Sequence, residues 1–216
     1  MRFRIIPVTP YRQNCSLLVC EQTNKAAIVD PGGDIDIILK IIEQENVALE
    51  SILITHGHLD HIGATAKLAT LLSIPIIGPH HEDQFWIDAI PAQCQTFRFP
   101  PSESFTPSRW LNQGDIVKVG EATLDVFHCP GHTPGHVVFV HRESKLAIVG
   151  DVLFKGSIGR TDLPKGDFNT LINSIKNNLW SLGEQFAFIP GHSPMSTFGE
   201  EMRSNPFVGN GSSRQS

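Results

Sequence analysis

An α/β protein built as a four-layer αββα sandwich, two packed sheets with helices outside, is the fold class this sequence predicts. Each half of the chain runs through strand-like segments before a helix-like one. Two such halves fit two sheets, each covered on its outer face by helices. Metal-ligating residue types recur just past apolar runs, at the C-terminal ends of strands, where α/β sheets place their chemistry. The 216 residues are 40% hydrophobic and 18% charged, a balance suited to a globular core. No boundary demands a second domain. We expect one domain over residues 1–205 and a flexible tail over 206–216, where Gly, Asn and Ser dominate.

The elements follow in order. Arg2 to Val8, Asn14 to Cys20 and Lys25 to Asp30 read as strands, the last two joined by a polar turn at Gln22-Thr23-Asn24. Asp30-Pro31-Gly32-Gly33 breaks the chain, and Asp34 reads as an N-cap. Ile35, Ile38, Leu39 and Ile42 then fall at helical spacing, closed by Asn46. Leu49 to Ile54 is a strand. Ala64 to Leu72 is a helix expected to bury Leu68, Leu71 and Leu72. Ile74 to Ile77 is a short strand, and Glu82 to Ile90 is helical.

From Pro91 to Gly114 the pattern disappears. Pro91, Pro100, Pro101 and Pro107 exclude regular structure over most of it, while Phe97, Phe99, Phe105 and Trp110 are spread through it. Such a loop is functional, or its aromatics pin it to the body. Strands return at Ile116 to Val119, Ala122 to His128, Val137 to His141, Leu146 to Val149 and Phe186 to Ile189. Asn169 to Leu179 is a helix with Leu171, Ile172, Ile175 and Leu179 on one face.

Thr55-His56-Gly57-His58-Leu59-Asp60-His61 holds the densest chemistry. Three imidazoles and a carboxylate fall within six residues, directly after the strand ending at Ile54. In an extended segment, side chains two apart share a face, so His56, His58 and Asp60 point one way and His61 another. One segment can thus serve two adjacent metal positions. Imidazole and carboxylate suit zinc, with iron and manganese as alternatives. The competing reading is a solvated, His-rich loop. His132, Asp151 and His192 each follow another apolar run and lie beside glycine, which lets backbone approach a site closely. A single histidine at a strand end is more often a hydrogen-bonded surface residue; seven such residues together are not a coincidence.

His-x-His-x-Asp-His at 56–61, Pro-Gly-His-Thr-Pro-Gly-His at 130–136, Gly-Asp at 150–151 and Pro-Gly-His at 190–192 resemble the metallo-β-lactamase fold superfamily. Within it they resemble glyoxalase II (hydroxyacylglutathione hydrolase) in its short bacterial single-domain form. The resemblance spans Asn14 to His192, and Met195-Ser196-Thr197-Phe198-Gly199 is also similar to the short form. It implies the αββα fold and two divalent metal ions, zinc first, with iron or manganese as alternatives. By position it implies His56, His58 and His132 on one metal, Asp60, His61 and His192 on the other, and Asp151 bridging them. His80, His81, His128, His136 and His141 match no ligand position and read as supporting or structural, His136 being the first exception to consider.

The implied activity is hydrolysis of a small thioester, S-lactoylglutathione foremost. A water held between two divalent cations ionises near neutral pH, and the resulting hydroxide attacks the carbonyl carbon while a metal stabilises the oxyanion. Asp60 can orient that nucleophile. A thiolate leaves without a general acid, because a thiol pKa is only about 8.5. Arg160 matches a basic, substrate-gripping position in the family and could hold a carboxylate bidentately; the alternative is an ion pair with Asp162 or Asp167. The family's tyrosine positions fall near Asp162 and Pro194, and the one tyrosine, Tyr11, is far away in sequence. With 24 residues after His192, the glutathione-holding helical domain of the long enzymes is not expected.

A persulfide dioxygenase is the main alternative; it would use one non-haem iron on His56, His132 and Asp151. A β-lactamase or a non-enzymatic metal-binding module ranks lower. The net charge of −5 provides no electrostatic footprint for nucleic acid. No apolar run has transmembrane length, and no secretory signal is legible at the N-terminus. Cys15, Cys20, Cys94 and Cys129 form no CxxC pair and read as reduced core thiols, which points to the cytoplasm.

Overall fold

The fold, obtained as a computed structural model, is described for residues 1–210. Strands β1 (Arg2–Val8), β2 (Gln13–Val19) and β3 (Lys25–Val29) lead into helix α1 (Ile35–Glu45) and strand β4 (Ala48–Leu53). A one-turn helix α2 (Leu59–Ile62), helix α3 (Thr65–Leu72) and strand β5 (Ile76–Ile77) follow. The five strands form one sheet in the order β1-β2-β3-β4-β5. A 3₁₀ turn (His81–Asp83) and helices α4 (Gln84–Asp88) and α5 (Ile90–Phe97) lead across to the second half.

That half contains β6 (Ile116–Val119), β7 (Ala122–His128), β8 (Val137–His141), β9 (Leu146–Gly150), a small hairpin β10 (Leu153–Phe154) and β11 (Ser157–Ile158), and helix α6 (Phe168–Ser174), which continues as a π turn over Ile175–Leu179. Strands β12 (Ala187–Pro190) and β13 (Ser196–Thr197) and helix α7 (Phe198–Ser204) complete it. The second sheet has the order β13-β12-β9-β8-β7-β6, with β12 parallel to β9 and the rest antiparallel.

Three apolar layers hold the sandwich. Leu18, Val29, Leu53, Val126, Phe139 and Ile189 meet between the sheets. Ile28, Ile38, Ile52 and Leu68 join the first sheet to its helices, and Val138, Val149, Leu171, Phe188 and Phe198 join the second to its own. Strands β2, β8 and β9 are buried along most or all of their length. A strand covered on both faces reads as a continuous apolar run rather than an alternating one, and this is how β8 and β9 read, whereas β2 opens on the polar Gln13 and Asn14 and also buries Ser16.

Several expectations need correction. Pro91 to Gly114 is not uniformly irregular, since α5 occupies its first part with Pro91 in the opening turn. There the missing N–H would have no partner anyway, so proline is tolerated. Beyond α5, Phe99, Phe105 and Trp110 pack on the first core, while Phe97 stays exposed. The segment is further tied down by Ser108 N–H to Ile76 O (2.8 Å) and Gly78 N–H to Arg109 O (2.8 Å). Leu71 is 57% exposed, because the inward stripe of α3 is Thr65, Leu68, Ala69 and Leu72 and Leu71 lies outside it. Asp34 precedes α1 but adopts a left-handed conformation (φ 49°) and makes no cap; its carboxylate accepts the Thr9 N–H at 2.7 Å. The tail differs in its first part: Val208 is buried and Phe207 packs beside it on the second core. Residues 211–216 of that tail lie outside the described residues. Among the described residues no helix is long and apolar enough to cross a membrane.

Candidate metal centre

The strand ends of both sheets converge on one edge. In the first sheet β3 and β4 are parallel neighbours with Val29 opposite Leu53, so Asp30 leaves β3 beside Thr55. In the second, Pro190 lies opposite Gly150 across the parallel β12–β9 pair, which puts His192 beside Asp151. Asn14 joins the two, its N–H donating to Gly191 O and its side-chain amide to Pro190 O.

The side chains form two groups. The nitrogens of His56, His58 and His132 lie within 4.8 Å of one another, and so do ligand atoms of Asp60, His61 and His192. Within the first, His58 Nδ1 and His132 Nε2 are 2.9 Å apart. Within the second, His192 Nε2 lies 3.1 Å and His61 Nε2 4.0 Å from Asp60 Oδ2. Asp151 stands between them: Oδ2 is 3.6 Å from His132 Nε2 and 3.7 Å from His192 Nε2, and Oδ1 is 3.3 Å from His61 Nε2. The expectation that Asp60 shares a direction with His56 and His58 is corrected. Leu59 opens α2, so the period of two ends before Asp60, which falls in with His61.

These residues fit divalent metal. His56 Nε2, His61 Nε2 and Asp151 Oδ1 are buried without a hydrogen-bond partner; the 3.3 Å contact between the last two does not meet hydrogen-bond geometry. A buried polar atom left unpaired costs on the order of 1–3 kcal/mol, so several aimed into one space call for a partner that accepts their lone pairs. Imidazole binds metal in its neutral form, and the first group is neutral, whereas against their burial the carboxylates beside His61 and His192 raise those two rings, whose protons a metal would have to displace. Burial, reinforced by the neighbouring imidazoles, pushes His56 well below the usual histidine range and His58 down to about 3. Burial also lowers His132. Burial opposes charge on Asp60 and Asp151, but the His61 charge outweighs it and both carboxyls are lowered. His61 is raised, its burial overcome by Asp151 and Asp60.

A supporting shell orients these groups. Asp30 accepts from Thr55 N–H (2.8 Å) and Thr55 Oγ (2.5 Å) and contacts His61 Nδ1 at 2.9 Å, which fixes the ring and leaves Nε2 facing the site. His132 Nδ1 is held by the Arg160 carbonyl at 2.8 Å. His136 stacks on His56 (4.6 Å, 16°) and its Nε2 accepts the Asp151 N–H at 3.1 Å. Gly191 passes so close that a Cβ there would sit 2.1 Å from Asp151 Oδ1.

Asp83 is fully buried and accepts from Gly57 N–H (2.8 Å), Gly135 N–H (2.6 Å) and Thr133 Oγ (2.8 Å), latching the 56–61 and 130–136 loops together. Asp30 and Asp83 are functional residues outside the motifs: Asp30 stands at a strand end before Pro31-Gly32-Gly33, a signal that marks it, whereas Asp83 carries none. The Arg160 side chain lies outside the site: it is exposed and paired in fork geometry with Asp162, at 2.7 Å for both contacts. Tyr11, remote in sequence, is brought to the site, its carbonyl 3.3 Å from His192 Nδ1 and its ring 5.6 Å from that of Phe99.

Two sheets flanked by helices, with His and Asp clusters suited to two metal ions at their strand ends, define a metallo-hydrolase class of protein. The chain belongs to the metallo-beta-lactamase superfamily, whose family model matches residues 8–192. It is 46% identical over 209 residues to hydroxyacylglutathione hydrolase GloC of Haemophilus influenzae, covering 96% of this chain and 98% of that one. Among solved structures it is similar to BLEG-1, a B3 metallo-beta-lactamase (36% identity, TM-score 0.88, 96% of this chain and 99% of that one). It is also similar to TTHA1623 in a di-iron-bound form (33% identity, TM-score 0.86, 94% and 99%).

Proposed function

We propose that this protein hydrolyses small thioesters, S-lactoylglutathione foremost, at a centre of two divalent metal ions, zinc or iron. The observation that carries the reading is the pair of ligand groups joined by Asp151 in a chain 46% identical, over almost its whole length, to a protein named as a hydroxyacylglutathione hydrolase. His56, His58 and His132 would hold one ion, Asp60, His61 and His192 the other, and Asp151 both. Bound there, divalent metal supplies an ionised water at neutral pH and polarises the carbonyl.

The protein's own groups do the rest. Asp60, held ionised beside His61 and His192, accepts a hydrogen bond from the attacking water and orients it. Asp30 and the Arg160 carbonyl hold the rings of His61 and His132 in place. The oxygen of that ionised water, whose proton has passed to solvent, bonds to the carbonyl carbon, the C–S bond breaks, and sulfur leaves with its electron pair as a thiolate. Arg160 would reach a substrate carboxylate only by releasing Asp162. The buried, unpaired thiols of Cys15, Cys20, Cys94 and Cys129 are consistent with a reducing cytoplasm.

The test follows loss of S-lactoylglutathione by purified protein of known metal content, with a chelated control. Rapid loss that disappears on chelation supports the proposal. No loss with metal bound sinks it, and parallel assays of β-lactam cleavage and of oxygen uptake with a persulfide would then identify the alternative.

A further inference from the structure

We propose a third cation site, outside the centre, formed by His80, Glu82 and His128. Ligand-capable atoms of all three lie within 4.8 Å of one another, and none of the residues belongs to the centre. Glu82 Oε2 is 3.7 Å from His80 Nδ1 and 3.9 Å from His128 Nε2. The two imidazoles are stacked, 4.2 Å apart at 22°, so their nitrogens face the same carboxylate. Ligands of tetrahedral zinc at 2.0–2.1 Å stand about 3.3 Å apart. Closing the two carboxylate distances to that value needs a small movement of the Glu82 side chain, which is 56% exposed. Pro134 O, 2.8 Å from His128 Nε2, offers a fourth donor. Two imidazoles, a carboxylate and a carbonyl oxygen suit zinc or another borderline divalent ion.

The cation's competitors are weak. His80 Nδ1 accepts only a long bond, 3.3 Å, from Glu82 N–H, so its lone pair is weakly engaged and a cation would take the place of that bond. His128 Nε2 now faces the Pro134 carbonyl; moving the ring proton to Nδ1 frees the Nε2 lone pair and leaves that carbonyl facing the ion. Burial and the neighbouring His128 ring hold His80 below the usual histidine range, which favours the neutral form that binds metal.

The placement has a consequence. His80 N–H donates to Gly135 O at 3.0 Å, and Asp83 N–H to His80 O at 3.0 Å. An ion pinning His80 and Glu82 to His128 and Pro134 would therefore brace the turn whose Asp83 latches both ligand loops. The site is a structural or regulatory cation site rather than a second catalytic one.

The experiment is a zinc titration against a competing fluorescent chelator, on protein whose centre has first been filled and whose excess metal has been removed. Wild type is compared with His80→Gln and Glu82→Gln, each checked for native circular dichroism. Wild type should take up one zinc equivalent beyond the centre. His80→Gln should lose that equivalent, and Glu82→Gln should bind it roughly tenfold or more weakly. Should a variant fail to fold, ring ¹H–¹⁵N spectra of the wild type replace it, and zinc should shift the His80 and His128 resonances together. No additional equivalent in wild type, an unchanged one in both variants, or no paired shift would overturn the site. A centre holding fewer than two ions would count against the dinuclear reading alone, since the third site is read as a difference between wild type and variants.

Discussion

At the residue scale the sharpest contrast is between Asp151 and Asp83, two buried carboxylates with different jobs. Asp151 reaches both ligand groups, so Asp151→Ala removes a donor from each. Atomic absorption on the purified variant should show loss of at least one bound metal equivalent, with thioester turnover falling by roughly 100-fold or more. Asp83 holds loops instead of metal. Burial raises its carboxyl to about 6, against the three hydrogen bonds it accepts. The folded state therefore keeps this proton to higher pH than the unfolded chain, and stability falls as pH rises from about 4 to 6. A displacement of that size is worth roughly 3 kcal/mol. Asn does not titrate, so in metal-free protein the stability of wild type relative to Asp83→Asn should drop by about that amount between pH 4 and 7. Urea unfolding at both pH values checks this, and a constant difference would refute it. Arg160 is the residue whose expected role the structure weakens. An exposed pair such as Arg160–Asp162 is worth at most about 1 kcal/mol, and Arg160→Ala should leave the apparent thioester KM within about threefold. A rise of tenfold would put the guanidinium back on the substrate.

At the element scale the ligand loops depend on close backbone approach. A Cβ at Gly135 would lie 2.5 Å from Asp83 N and 2.7 Å from its Cγ, with backbone and a buried side chain that cannot swing aside. Gly135→Ala should therefore push the 130–136 loop off the Asp83 turn and weaken metal retention at His132, read as faster zinc transfer to a chelator. Retention equal to wild type would show that the latch is slack. Helix α1 is a different case, held by its apolar face rather than by any cap from Asp34. Ile38 is fully buried against the first sheet, and Ile38→Ala should cost about 2–5 kcal/mol in chemical denaturation while the metal content of the folded fraction stays unchanged.

At the scale of the whole molecule the seven residues come from both sheets, His56, His58, Asp60 and His61 following the first and His132, Asp151 and His192 the second, so metal bound among them would staple the sheets together. Ligands bound only in the folded state stabilise by mass action; a thousandfold excess over Kd contributes about 4 kcal/mol. Stripping the metal should lower the thermal midpoint by roughly 10 °C for a chain of this size, and re-addition should restore it. An unchanged midpoint in calorimetry would mean that metal binds the folded chain no more tightly than the unfolded one and does not hold the sheets.

The layered fold and the ligand residue types were legible along the chain because both are local signals. Continuous apolar runs mark buried strands such as β8 and β9, and His-x-His-x-Asp-His is a pattern within one segment. The spacing rule held for His56 and His58 and failed at Asp60, where a single helical turn, too short to leave a periodic signature, rotates the carboxylate toward His61. The residues that hold the ligand rings and loops in place were hidden for a related reason. Asp30, Asp83 and His136 act across sequence separations that no periodicity encodes; His136 stood out only by its place in the motif, and Asp83 was one polar residue among many until loop contact brought it to its partners. The sequence by itself determined the sandwich class and which side chains could bind metal. Only the tertiary structure decided what holds each ring, that Arg160 turns to Asp162, and that His80, Glu82 and His128 meet. Each of those depends on distances between segments, which the chain acquires when its sheets pack.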